Sequence, residues 1–417
     1  MNPASKRAPQ RRPPVSAGSE VRQRVEALGK RLTADLETLL ATLPRWGTGP
    51  QRLAETLGIS TVTASRLLRG LAQADPIATL QLIPGPRPLR EIVAGAGKAG
   101  APEAKCAAAT RVIDEFDDLI RGLAGDRGAL KAMLSAWLPE ERGDFEAQRR
   151  QAIFKAYAEL EGVAADLVLE AIVLLPSATP GRLDLVSVNC LLGVDRLRPD
   201  AVVRLSTRRL GAPSPEAPAE RTPLTLDGEL ALDGLHTARL DAFCGAPPAP
   251  LEAQVLGPIV QYSLGPTGFG PASKVDLVIA EVNRAELPNR AADAEQPPYF
   301  FTVPEIAARR VTFDVLVHDS VYGGTAPELL TYATIGAGPA VACAPERAID
   351  LRPSTEQVQA LGAGLARLRL AEFPRYVPLM EHVFSRLGLA ESEFRGYRFS
   401  QVHPLVGRQF TFAFTGR

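Results

Sequence analysis

The chain is poor in the residues that build covalent or metal-held frameworks, with four cysteines and four histidines among 417 residues. Cys106, Cys190, Cys244 and Cys343 stand far apart, with no Cys-x-x-Cys pair and no histidine at metal-ligand spacing. That pattern excludes a disulfide scaffold or zinc ribbon and suits a reduced, cytoplasmic protein with no metal and no cofactor. No apolar run approaches the roughly 20 residues that a membrane span needs. The opening "MNPASKRAPQRRPP" is basic but has no apolar core behind it, so it does not read as a secretory signal and no membrane partner is expected.

Charge is balanced in total and uneven in place. Lysine plus arginine and aspartate plus glutamate each number 47, yet residues 1–100 hold 15 basic against 7 acidic side chains. A basic first quarter on an acidic remainder points to a polyanion-binding end attached to a body that would repel the same ligand.

Residues 1–18 are proline-rich, basic and free of acids until the next segment, and are expected to be a disordered tail. From Glu20 to Leu43, Val21, Val25, Leu28, Leu32, Leu36, Leu39 and Leu43 step by three or four residues, which predicts a helix. Its stripe could form a dimer seam, although three heptads is short for a coiled coil and packing on neighbouring helices is preferred. "PRWGTGP" then breaks the helix. Asp75 before Pro76 has the form of a helix cap, and "IATLQLIPGPRPLREIV" is read as two helices in preference to a wing hairpin. Residues 101–164 keep helical spacing. Near Asp166 the texture turns to short β-rich runs, among them "DLVLEAIVLL", "LDLVSVNCLL", "VDLVIAEV" and "RVTFDVLV". Two late helices are expected, one behind a capping box at Ser354 and Gln357 with Val358, Leu361, Leu365 and Leu368, the other over Val377 to Leu387 ending at Gly388. Phe410, Phe412 and Phe414 should share one strand face.

The most informative stretch is "RLAETLGISTVTASRLLRGL", Arg52 to Leu71. A first helix burying Leu53, Ala54 and Leu57 runs into Gly58, where a left-handed residue makes a sharp turn possible. Ser60 can cap a second helix that buries Ala64, Leu67, Leu68 and Leu71. Thr61, Val62, Ser65, Arg66 and Arg69 are left to face outward. Ala54, Gly58, Ile59, Ser60, Thr63, Ser65 and Arg66 together resemble the helix-turn-helix of bacterial transcriptional regulators of the lactose-repressor type. Ala64 departs from the pattern, which more often has a larger β-branched residue there. The resemblance covers about 20 residues closely, about 50 loosely, and none of the rest. It implies double-stranded DNA as partner, with Ser60, Thr61, Val62, Thr63, Ser65, Arg66 and Arg69 at the interface, where short hydroxyls fit a groove and arginines reach guanine edges or phosphates.

Other motifs fall short. "SLGPTGFGPASK" lacks the GK[ST] of a phosphate loop, and Ser273 stands where a dinucleotide loop needs its third glycine. His318, Asp319 and Ser320 are adjacent, and strand neighbours point to opposite faces, so they are not expected to form a triad among themselves. His236, His382 and His403 carry no catalytic hint, and Cys190 reads as a buried inert thiol.

The expectation is an α+β protein: an all-helical N-terminal part with a helix-turn-helix, followed by a mixed α+β domain. Its organisation would be a basic tail (1–18), a DNA-binding domain (19–100), a helical connector (101–164) and a sensor or oligomerisation domain (165–417). Such proteins commonly bind as homodimers and answer to a small-molecule or protein effector. No catalytic residue is expected. The alternatives are an enzyme of unrecognised type in the C-terminal domain, or an assembly protein using the helix pair for protein contacts.

Overall fold

The computed structural model describes residues 15–43, 49–209, 224–229, 238–246, 248–256, 259–265, 267, 268, 270, 273–289 and 297–415. The chain divides into two compact units between Glu146 and Ala147. Helices come first and sheets second, the α+β arrangement expected.

The first unit is built on α1 (Val15–Leu40), whose Val25, Leu28, Leu32, Leu36 and Leu39 are buried. Helix α1 starts within the stretch expected to be a tail, and residues 1–14 lie outside the described residues. Its leucine stripe is used inside the chain, against helices α4 (Pro76–Leu82) and α6 (Glu103–Leu119), so it is not available as a dimer seam. Asp75 caps α4 by accepting from the Ile77 N–H at 2.7 Å. The segment after it, α5 (Pro86–Lys98), is a helix and not half of a wing.

Helices α6 and α7 (Arg127–Ser135) do not form a connector. Val112, Ile113, Phe116, Leu130 and Leu134 share one core with α1 and α5. Two glycines permit the closest backbone approaches. A Cβ on Gly29 would lie 2.4 Å from the Pro76 carbonyl oxygen, and one on Gly95 would lie 2.1 Å from that of Leu57.

Helix α8 (Pro139–Glu161) crosses the division, and its later residues belong to the second unit. That unit has a six-stranded sheet in the order β10-β11-β8-β1-β2-β6. Its strands are β1 (Val163–Pro176), β2 (Arg182–Arg196), β6 (Val275–Pro288), β8 (Ala308–His318), β10 (Gln359–Ala363) and β11 (Phe394–Val402). Only β1 and β8 run parallel; the other neighbours are antiparallel. A separate antiparallel sheet holds β3 (Val203–Arg209), β5 (Ile259–Leu264) and β4 (Leu251–Leu256).

One face of the large sheet carries Leu167, Leu169, Ala171 and Val173 against α9 (Tyr376–Leu387), through Leu379, Met380 and Val383. There the fully buried Asp314 takes a forked hydrogen bond from Arg398 (2.8 and 2.6 Å) and one from the Tyr376 hydroxyl (2.7 Å). The other face carries Val311, Phe313, Val315 and Phe399, covered by a small sheet of β7 (Tyr299–Thr302), β12 (Arg408–Ala413) and β9 (Glu328–Ala333). Phe410 and Phe412 reach down from β12 to Phe399 and Phe313, with ring centres 4.5 and 5.0 Å apart. As expected, Phe410, Phe412 and Phe414 are buried together.

The helix expected behind Ser354 does not form. Residues 359–363 pair with β11 as an edge strand, and Gly362 and Gly364 sit at φ +79° and +92°, a conformation no helix interior holds. The Ser354 hydroxyl instead accepts from the Glu356 N–H and donates to the Glu356 carboxylate.

Candidate nucleic-acid interface

Helix α2 (Pro50–Leu57) ends at Gly58, whose φ of 65° and ψ of 35° are left-handed, with its N–H returning to the Ala54 carbonyl. The chain then turns through Ile59 and Ser60 into α3 (Thr61–Leu71). The Ser60 hydroxyl accepts from the Thr63 N–H at 3.1 Å, the cap read from the sequence. Ala64 and Leu67 are fully buried and Leu71 nearly so, while Leu68 is half-buried. Gly70 lies against Ile83, which packs α3 onto α4.

The opposite face of α3 is open. Ser60, Thr61, Val62, Arg66 and Arg69 are exposed, Val62 at 63% for an apolar side chain. Thr63 and Ser65 are half-buried, and the Thr63 hydroxyl shares a hydrogen bond with Ser60 at 2.9 Å. Thr63 therefore serves the turn more than the surface.

Ion pairing separates the arginines of this unit. Arg31 pairs with Glu115, Arg90 with Asp114 and Asp117, and Arg121 with Asp117. The Arg90 hydrogen bond, outweighing burial, holds the Asp117 carboxyl below its ordinary range. Among the described residues Arg66 and Arg69 have no ion-pair partner, and no acidic residue occurs between Glu55 and Asp75. Helix α6 thus holds Arg31 and Arg90 of the basic N-terminal segment, and the arginines of α3 keep their charge unpaired among the described residues.

The remaining sequence candidates fall elsewhere. Strand β8 stops at His318, so the alternation argument lapses for the residues after it. His318 Nδ1 lies 2.8 Å from the Ser320 hydroxyl and its Nε2 lies 3.5 Å from Glu393. Ser320 is exposed, and its own N–H also points at Nδ1 at 3.2 Å, the geometry of a local turn. Among the described residues the glycine-rich segment around Gly265 leads into β6 with no α-helix behind it, so it lacks the helix N-terminus of a phosphate loop. Its Gly265 carbonyl is held by buried Arg196 at 2.8 Å, and Lys274 pairs with Asp166 at 2.5 Å. Burial pushes the Cys190 thiol well up, as suits an inert core residue. His382 stands against Phe243 and His403 against Phe154, whereas His236 lies outside the described residues.

Sequence reasoning missed a cleft of about 950 Å³ in the second unit. Strands β1, β2 and β6 have 14, 15 and 14 residues, whereas the covering strands β7, β9 and β12 have only 4 to 6. The small sheet therefore leaves part of the large one bare. Glu170 lies across from Asn189, and Ser187 across from Glu281, on this uncovered face. Burial pushes the Glu170 carboxyl up to about 7, against the opposing effect of a hydrogen bond from Thr302. The polar floor was hidden in sequence because "DLVLEAIVLL" looks apolar on both faces; alternation placed Glu170 on a face whose cover could not be foreseen. No protein-family model, curated protein or solved structure matches the chain.

Proposed function

We propose that the protein is a DNA-binding transcriptional regulator, with α3 as the reading helix and the second unit as an effector-sensing domain. The observation that carries this reading is an exposed helix face of small polar residues and two arginines without acidic partners among the described residues, presented behind a tight glycine turn. Unpaired guanidinium groups stay available to phosphates and guanine edges, whereas arginines already held by carboxylates would have to break those contacts first. The cleft of about 950 Å³ in the second unit supports the sensor role.

The full chain should bind random duplex DNA with affinity that falls steeply as salt rises. Arg66 lies one turn beyond Val62, in reach of base edges, and Arg69 lies nearly a turn further, where a straight helix leaves the groove. Arg66→Ala should cost about 1–3 kcal/mol on the preferred site and relax base choice there. Arg69→Ala should weaken all sequences alike and lower the salt slope by about one unit. Selection on randomised duplexes separates the two. Unchanged affinity and base preference in both variants would end the DNA-reading role of α3.

A second reading has one observation behind it, the contact of His318 with Ser320 and Glu393. A nucleophilic serine there would be labelled by a fluorophosphonate, and Ser320→Ala would abolish the label. An unlabelled protein returns this cluster to a turn.

A further inference from the structure

The cleft combines an acidic floor with apolar walls. Among the described residues its lining holds four carboxylates, Glu161, Glu170, Glu281 and Glu305, against one guanidinium, Arg204. Strand register sets two of them on the same face, on either side of β2: Glu170 on β1 is opposite Asn189, and Glu281 on β6 is opposite Ser187, two residues before Asn189. Glu281 is only 6% exposed and Glu170 half-buried, so their charges face the cleft more than the solvent. In a recess of low dielectric, that excess of negative charge repels anions and attracts cations.

The size of the cation follows from the spacing of the acids. Among the described residues, no three carboxylate, imidazole or thiolate side chains converge closely enough to hold a metal ion. A compact ion needs such convergence, with several oxygens at bonding distance. A large cation with spread charge does not. The walls suit one: Tyr157 and Phe301 are among the residues lining the cleft, with Val168, Leu205 and Ile306; aromatic surface of this kind tolerates a diffuse positive charge. A second cavity of about 200 Å³ adjoins it, sharing Tyr157, Val406 and Gly407. Among the described residues its lining is apolar apart from Arg408 and the hydroxyl-bearing Tyr157, with Ile153, Phe154, Ala307 and Leu405.

We infer that the second unit binds a lipophilic organic cation, its charge over Glu170 and Glu281 and its apolar body against the aromatic wall and the adjoining cavity. This deepens the sensor reading of that unit and rests on it, yet the binding itself is measured without DNA. The probes are tetraphenylphosphonium and tetraphenylborate, which have nearly the same shape and opposite charge. Calorimetry with the full chain at pH 8, where Glu170 is ionised, should detect tetraphenylphosphonium and not tetraphenylborate. Glu170→Gln keeps size and hydrogen bonding, and should weaken the cation by about tenfold or more. No binding of the cation, equal binding of both ions, or undiminished affinity in Glu170→Gln overturns the assignment. Failure here with salt-dependent DNA binding intact rejects the cation site alone. Cation binding in a chain indifferent to DNA rejects the regulator reading and keeps the site.

Discussion

Glu170 shows what a single residue inherits from its position in a sheet. It sits among Leu169, Ala171 and Val173, whose side chains point the other way into the main core, and it faces the cleft only because β-strand neighbours alternate. Among the described residues, the titratable groups lining the cleft with it are Glu281 on β6, Glu305, Arg204 on β3, Cys190 on β2, and Glu161 and Tyr157 on α8; β2 and β7 also bring Ser187, Asn189 and Thr302, which do not titrate in the working range. A carboxyl raised from 4.5 to about 7 by burial reverses the usual sign for an acid. The folded state then binds the proton more tightly than the unfolded state, so stability falls as pH rises from about 4.5 to about 7, and stays reduced above that. Glu170→Gln removes the charge and keeps the shape. It should raise stability at pH 8 by about 1–3 kcal/mol, with the advantage fading toward pH 4.5. Melting both proteins across this range checks it; parallel curves would show that Glu170 stays ionised at no cost.

At the scale of elements, tight helix packing in the first unit depends on missing side chains. In α5, Gly95 meets the Leu57 backbone at the end of α2, where a Cβ would overlap the carbonyl oxygen at 2.1 Å. Gly97, two residues on, has Cys106 Sγ at 3.7 Å as its nearest neighbour, an ordinary contact. Gly95→Ala should therefore cost about 1–3 kcal/mol or more by forcing the helices apart. Gly97→Ala should be neutral, or gain up to about 1 kcal/mol from helix propensity. Equal melting temperatures for the two variants would show that α2 and α5 do not pack so closely.

The same pair explains what could be read in advance. Gly58, Ser60 and the Leu53–Leu57 spacing were legible because turn, cap and helix obey local rules, and the structure follows them at each point. The segment 354–368 was misread because Val358, Leu361, Leu365 and Leu368 fit a helical period while Gly362 and Gly364 do not. Pairing with β11, a partner distant in sequence, decided the matter. The cleft was illegible for a related reason: it is an absence of cover, set by the unequal lengths of strands that meet only in the folded sheet.

At the scale of the whole molecule, composition and packing place the boundaries differently. The basic surplus stops near residue 100, which suggests a domain of that length. Packing carries the first unit onward through α6 and α7, since Val112, Ile113, Phe116 and Leu134 complete the core begun by α1. The acids of α6 also pair with Arg31 and Arg90, so the surplus and its neutralising partners belong to one body. A fragment of residues 1–100 would expose the face of α1 and α5 that α6 covers. At about 25 cal/mol per Å² of apolar surface, loss of several buried aliphatic and aromatic side chains exceeds the few kcal/mol by which a small domain is stable. That fragment should melt without a cooperative transition and bind DNA, if at all, as an unfolded polycation. A fragment ending at Leu138, the last buried residue of this core before α8, should melt cooperatively and keep the salt-dependent DNA binding of the full chain. In the second unit the same logic moves the start upstream. Phe154 and Ala158 of α8 pack on Ala307, so residues 147–417 should be the better-behaved fragment than 165–417. Circular dichroism melts of the four fragments decide the point. A cooperative 1–100, as stable as 1–138, would mean that charge marked the functional border and that α6 and α7 are passengers on a finished core.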